Sequence, residues 1–358
     1  MSKKVFALML VVVLVLSVAL VGCGKKEPAP APKMKVGIVY DVGGRGDKSF
    51  NDTAYAGLER AGTDFADKIE IKDLEPAKDG SNREDLLRSL GQQGYDLIFG
   101  VGFLFADAME KVAKEFPNTK FGIIDGYIAN LTPESNVVCL GFAEHEGSFL
   151  VGAAAALATT KNHVGFVGGM EIDLIKKFEA GFKAGALYIN PNIKISSQYI
   201  GTDGSAFANP ERGKEIALSF IEKGADVIYH ASGASGAGVI AAAAEKGVLA
   251  IGVDADQSLT VDDDAQRARI LTSMLKKVDV AVYDTIKALI EGNFQGGYQS
   301  FDLKANGVGY AVNQYNTNLL TEAMRTKLDE LKTKIINGEL VVPATYAELD
   351  TFKANLGK

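Results

Sequence analysis

The sequence predicts an α/β fold: two doubly wound, parallel-sheet lobes facing each other across a crevice. Three observations carry this. From residue 35 onward, short unbroken apolar runs alternate with segments of helical spacing, as strands covered on both faces require. Near residue 163 the pattern restarts in the same order. The chain has 358 residues, room for about two domains of ~150 residues each.

The first 34 residues stand apart from this pattern. Lys3 and Lys4 precede an uncharged, strongly apolar run over residues 5–21, which closes on Leu20-Val21-Gly22-Cys23. A basic start, a short apolar core and small residues before the end mark a secretory leader. A spanning helix needs roughly 20 apolar residues. The terminal tetrapeptide resembles a bacterial lipobox, so residues 1–23 are expected to be a leader in which Cys23 is lipidated and becomes the new N-terminus. The alternative is an uncleaved anchor with an incidental cysteine. Residues 24–34, with alternating Ala and Pro, cannot pack a core and stay extended as a tether. The mature protein is thus expected on the extracytoplasmic side, periplasmic or outer-surface, held to the cell membrane by lipid. Cys139 then lacks a partner; within "NVVCLGF" it reads as a buried, inert thiol.

In the first lobe, "MKVGIVYD", "IEIKDLEP", "YDLIFGVG" and "KFGIIDG" read as strands. Between them, "FNDTAYAGLERAGTDF", "NREDLLRSLGQQG" and "LFADAMEKVAKEFP" have helical spacing. The second lobe repeats the scheme. "KVGIVYD" (35–41) matches "HVGFVGG" (163–169), and "AGLERAG" (56–62) matches "AGFKAGA" (180–186). "GYDLIFGVG" (94–102) matches "GADVIYHAS" (224–232), and "FGIID" ending at Asp125 matches "AIGVD" ending at Asp254. Four pairs in register argue for two similar lobes. Beyond Asp254, "RILTSML" is a strand before a helix over about residues 277–291, and this pair is expected to return to the first lobe. "YQSFDLKANGVGYAVNQY" is β-rich, and "LTEAMRTKLDELKTKIINGEL" is an amphipathic helix. The expected boundaries are 35–142 plus about 271–312 for the first lobe, and 143–270 plus about 313–358 for the second.

Composition bounds the function. The chain is 47% hydrophobic and 23% charged, with net charge −7. Such a surface does not suit nucleic acid or another polyanion. In open α/β sheets ligands bind just outside the strand C-termini. That rule selects Asp41, Gly102, Asp125, Gly233 and Asp254.

The glycine-rich "YDVGGRGDKSFND" (40–52) invites a phosphate-loop reading, but Asp47 stands where the loop needs glycine before Lys48-Ser49, and Val42 where it needs the first glycine. "RGD" at 45–47 has no supporting context and reads as a turn. Ser49, Asn51 or Asp52 suit helix N-caps. Phe50 is either a hydrophobic staple or a face on which a ligand stacks. The "SGASGAG" run reverses the dinucleotide glycine order. It leaves backbone amides beside Gly233 for a ligand, or a plain tight turn. Asp125 and Asp254 end matched strands, where carboxylates accept hydrogen bonds. His145, His163 and His230 lack metal-ligand spacing, and no G-x-S-x-G elbow occurs. Binding therefore outranks catalysis, with no cofactor and no metal expected. Lys276 ends a strand at the same edge. Phe207 lies in a polar loop, where it either packs or faces Phe50 across a flat ring.

Four stretches carry a resemblance: "VYDVGGRGDKSFNDTAYAGLERAG", "GVGFLFADAMEKVAKEFPNTKFGIIDG", "GFAEHEGSFLVGAAA" and "AIGVDADQS". They closely resemble the basic membrane protein (BMP) family of bacterial lipoproteins, substrate-binding proteins similar to the purine nucleoside receptor of ABC transporters. The resemblance implies a type I periplasmic-binding-protein fold with a hinge and a central cleft. It further implies that Phe50 and Phe207 stack on the two faces of a purine, with Asp125 accepting from the base edge beside Asn51. Asp254 would hold ribose hydroxyls, supported by Lys276 and the backbone of Gly233, while Asp41 and Ser49 line the first-lobe wall. The implied ligand is guanosine, inosine or adenosine, and the implied partners are an ABC permease and its ATPase subunit. A receptor for a monosaccharide or other small polar solute, and a sensory lipoprotein without a transport role, stay open. A phosphorylated ligand is disfavoured, since one lysine among carboxylates is poor company for phosphate.

Overall fold

The computed structural model describes residues 32–356. The leader with Cys23 and residues 24–31 of the tether lie outside these. Among the described residues no helix is long and apolar enough to cross a membrane.

Two six-stranded sheets organise the chain. The first contains β1 (Met34–Val39), β2 (Ile69–Leu74), β3 (Leu97–Val101), β4 (Lys120–Ile124), β5 (Val137–Phe142) and β11 (Gly297–Phe301). Their order is β11-β5-β4-β3-β1-β2, all parallel. The second contains β6 (His163–Met170), β7 (Lys194–Gly201), β8 (Val227–Ala231), β9 (Leu249–Asp254), β10 (Ile270–Lys276) and β12 (Val308–Tyr310). Their order is β12-β10-β9-β8-β6-β7, parallel except for β12 against β10. The two orders correspond strand for strand, β1 to β6 through β5 to β10, then β11 to β12.

Burial explains the apolar runs. Every residue of β3, β5 and β8 is buried, because helices cover both faces. Helices α1 (Phe50–Asp64), α2 (Arg83–Gln92) and α3 (Ala106–Glu115) belong to the first lobe. Helices α4 (Glu144–Ala158), α5 (Asp173–Ile189), α6 (Pro210–Glu222) and α7 (Gly236–Lys246) belong to the second. Phe99 and Phe166 are fully buried at the centres of the two sheets; truncating either to Ala costs about 3–5 kcal/mol. Cys139 is buried and unpaired.

The late elements correct one expectation. The strand expected to return to the first lobe is β10, and it pairs with β9 in the second sheet. Only the helix after it, α8 (Val278–Ile290), crosses back and packs on α1. β11 then completes the first sheet and β12 the second. The physical reason is the repeat itself: "RILTSML" is the counterpart of "NVVCLGF", so both lobes use the same fifth strand before crossing. Helices α9 (Glu322–Ile336) and α10 (Tyr346–Asn355) pack on α4 and α5.

The chain therefore passes between lobes three times: after Phe142, after Lys276, and between Phe301 and Val308. The passages are tied together. The amide of Ala143 donates to Phe301 O at 3.0 Å, and that of Lys277 to Gly307 O at 2.8 Å. The two sheets are thus joined by adjacent, hydrogen-bonded crossings, the connection that hinge-closing proteins use.

Candidate functional site

The loop after β1 shows how backbone needs assign side chains to roles. Asp47, not Ser49, caps α1: its carboxylate accepts from the amides of Ser49 (2.9 Å), Asn51 (2.8 Å) and Asp52 (3.1 Å). Burial raises its carboxyl to about 7 against those three donors. Asp47 is buried, so the RGD triplet presents no free carboxylate. Asp52 stitches the glycine turn by accepting from Gly46 N at 2.8 Å and Lys48 N at 2.9 Å. With its cap supplied elsewhere, the Ser49 hydroxyl reaches the other lobe and donates to Asp254 Oδ2 at 2.5 Å. Lys48 O accepts from Gln257 Nε2 at 3.1 Å, and Lys48 Nζ pairs with Asp262 at 2.5 Å. The loop is thus fastened to the second lobe by three bonds from two consecutive residues, Lys48 and Ser49.

Behind these fastenings lies a cavity of about 60 Å³ bounded by both lobes. The first lobe contributes Asp41, Phe50, Asn51, Gly102, Phe103 and Asp125. The second contributes Phe178, Phe207, Ser232, Gly233, Asp254 and Lys276. Phe103 and Phe207 meet edge to face, with centroids 6.3 Å apart.

One position requires glycine and a second favours it. Gly102 has φ +104°, and a Cβ there would lie 2.2 Å from Asp41 Oδ2. Gly233 has φ +56°, with Phe207 O only 3.2 Å from where a Cβ would sit. Each lets a neighbouring strand end approach the crevice.

Asp125 and Asp254 repeat one another in backbone as well as in sequence. Both adopt left-handed conformations, with φ of 62° and 64°. Such geometry is uncommon outside glycine, though Asp and Asn tolerate it better than other side chains. Strain of this kind concentrates at functional sites. Here it turns two strand-end carboxylates into the crevice. Asp125 Oδ1 is buried and has no hydrogen-bond partner, an acceptor left for a donor that enters the crevice.

The electrostatics centre on Lys276. Its Nζ lies 2.5 Å from Asp125 Oδ2 and 3.2 Å from Glu144 Oε1. Three rings surround it, with centroids of Phe50, Phe142 and Phe178 at 5.1, 5.0 and 5.5 Å. Burial alone would lower the ammonium's affinity for its proton, but Asp125, Glu144 and Asp254 outweigh it and hold Lys276 well above its ordinary range. Burial pushes the Asp125 carboxyl up to about 6, with Lys276 opposing and Glu144 adding repulsion. Asp254 is also raised by burial, against the attraction of Lys276 and the Ser49 bond. Asp41 is raised by burial too, opposed by the Val42 amide and by Arg83 at 3.2 Å.

Of the residues expected from sequence, Asp41, Phe50, Asn51, Asp125, Phe207, Gly233, Asp254 and Lys276 meet on one wall system. Ser49 lies beside it as an interlobe bond. Asn51 Oδ1 accepts from the Asp41 amide at 3.0 Å and so holds the β1 exit in place. Lys276 makes its close contacts with Asp125 and Glu144, while the close partner of Asp254 is Ser49. Sequence reasoning missed Asp47, Glu144 and Phe178. The doubled glycine–aspartate turn hints at Asp47; Glu144 and Phe178 come from helices of the second lobe and carry no local signal.

Comparison with known proteins gives a consistent result. The family model described as "ABC transporter substrate-binding protein PnrA-like" (Bmp) matches residues 34–346. A "CD4+ T-cell-stimulating antigen" of Listeria monocytogenes is 37% identical over 86% of this chain and 87% of its own length. An "ABC transporter nucleoside-binding protein BmpA" of Lactococcus lactis is 34% identical over 87% and 89%. The crystal structure of an ABC transporter solute-binding protein from Aeropyrum pernix superposes with a TM-score of 0.78 at 30% identity, covering 90% of this chain and 98% of that one. Family model, relatives and geometry agree: the chain belongs to the Bmp family of PnrA-like ABC transporter substrate-binding proteins, and it is a binding protein, not an enzyme.

Proposed function

We propose that the substrate is a purine nucleoside, held between the lobes by a receptor that is lipid-anchored through Cys23 and hands it to an ABC permease driven by a separate ATPase subunit. The observation that carries this reading is the pairing of aromatic faces with strand-end carboxylates around one space. Phe50 and Phe207 suit a flat base. Asp125, with its unpartnered Oδ1, suits a base N–H edge, and Asp254 suits a ribose diol, since ionised carboxylates only accept hydrogen bonds. Asp41, Asn51 and the Gly233 backbone complete the wall, and Lys276 holds Asp125 in place. Closure is favoured only by contacts made to both lobes at once, which a base–sugar ligand of this shape makes. The lipobox-like leader and the Ala-Pro tether support an extracytoplasmic, membrane-held receptor.

The test is mass spectrometry of the ligand released on denaturing purified protein, followed by calorimetry with guanosine, inosine, adenosine and pyrimidine nucleosides. Recovery of a purine nucleoside, with saturable binding at one site, is expected. Recovery of only a monosaccharide or peptide, with no heat from any nucleoside, overturns the reading.

A further inference from the structure

We propose that Glu144, behind the crevice wall and outside its lining, is the charge filter of the ligand site. It sets a negative charge against Lys276, the cation that lines the crevice, and thereby excludes anionic ligands. The proposal rests on the nucleoside reading and narrows it to nucleosides whose base is neutral.

Glu144 is the first residue of α4, on the first passage between the lobes, and Lys276 ends β10 at the second. Their side chains are 0% and 2% exposed. An ammonium has three N–H donors and no acceptor. Lys276 donates to Asp125 at 2.5 Å and lies 3.2 Å from Glu144 Oε1, with the rings of Phe50, Phe142 and Phe178 at 5.1, 5.0 and 5.5 Å. The cation lining the crevice is therefore already neutralised. Arg83, near the first-lobe wall, pairs with Asp41 Oδ1 at 3.2 Å and donates to Gly80 O at 3.0 Å.

Glu144 is also poorly satisfied where it lies. Its Oε1 has no aligned hydrogen bond, and its Oε2 has only Lys177 Nζ at 3.5 Å. A buried carboxylate is destabilising unless well paired, so this one does not act mainly as a structural clasp. Its effect is on potential. Three carboxyl groups, Asp125, Glu144 and Asp254, act on the one ammonium of Lys276. A ligand carrying its own negative charge enters a site with more carboxyl groups than ammonium groups, at low dielectric. A neutral base with an N–H edge instead finds the free Asp125 Oδ1.

The experiment compares inosine with xanthosine, whose base is anionic in mildly alkaline buffer, by calorimetry at pH 8. Wild type is expected to prefer inosine. Glu144→Gln keeps the shape and removes the charge; it should narrow the inosine-to-xanthosine affinity ratio by on the order of tenfold. Lys177→Met, at a side chain 33% exposed, removes the cation behind Glu144 and should widen the ratio. The Lys177 variant carries the test should the Glu144 variant not fold. An unchanged ratio in the folded variants, in a protein that binds inosine, overturns the filter alone. A wild type that binds neither compound overturns the nucleoside reading and the filter with it.

Discussion

Lys276→Met is the substitution whose cost the structure fixes best. It keeps an unbranched chain among Phe50, Phe142 and Phe178 and deletes the cation shared by Asp125, Glu144 and Asp254. Removing one partner of a buried pair costs about 3–5 kcal/mol. Protonation limits that cost. Asp125 already titrates at about 6 with Lys276 opposing the rise, and without the ammonium it titrates higher still. Each pH unit by which the solution falls below that raised value returns ~1.4 kcal/mol. The sign follows from linkage: a carboxyl raised from 3.8 to about 6 on folding binds its proton first in the folded state, so stability rises as pH falls through that window. The variant should therefore lose about 3–5 kcal/mol at pH 8 and markedly less at pH 5. Urea denaturation followed by circular dichroism at both pH values measures this, since the chain has no tryptophan. An equal loss at both values, or no loss at pH 8, refutes the assignment of Lys276 as the counter-charge of the buried carboxylates.

Three further outcomes are expected. Phe50→Ala should weaken inosine binding by ~1–3 kcal/mol, the scale of base–aromatic stacking; calorimetry that finds unchanged affinity removes Phe50 from the site. Ser49→Ala leaves Asp254 Oδ2 without its interlobe donor, and losing a buried partner costs ~1–3 kcal/mol. Ligand release should quicken about tenfold for each 1.4 kcal/mol, and stopped-flow dissociation at the wild-type rate contradicts the fastening. Gly102→Ala puts a Cβ 2.2 Å from Asp41 Oδ2 at φ +104°; binding should be lost and the melting temperature lowered, while a variant indistinguishable from wild type disproves the close approach.

The architecture was largely written in repeating apolar runs. Four matched segments are enough to anticipate two sheets, because a strand buried on both faces must be apolar throughout, and the chain uses that device in each lobe. The strand-end rule found Asp125, Asp254 and Gly102 for the same reason: topology puts strand C-termini at a crevice whatever the side chains are. What local pattern does not hold is which lobe a late strand joins. β10 looks like any buried strand, and only extending the repeat one element further assigns it beside β9. Capping shows a similar limit. Ser49, Asn51 and Asp52 all suit an N-cap, yet Asp47 takes the three amides, a choice made by the glycine turn that folds it back. Glu144 and Phe178 escaped notice because their meaning depends on Lys276, more than 90 residues away in the chain.

The left-handed backbone at Asp125 and Asp254 also limits how this site can change its ligand over time. Branched and bulky side chains are penalised in that conformation, whereas Asp, Asn and Gly are accommodated. The substitution of greatest chemical effect that leaves the backbone alone is therefore acid to amide. At Asp125 it turns a pure acceptor into a group that also donates, while Lys276 keeps Glu144 as its partner. On the nucleoside reading, that single exchange is the step between a base edge that donates and one that accepts. A nucleoside panel on Asp125→Asn would find preference moving from oxo- toward amino-purines, or, with no movement, would remove Asp125 from the base edge. The conformation that aims the carboxylates thus restricts the family of sites reachable from this one to a short alphabet.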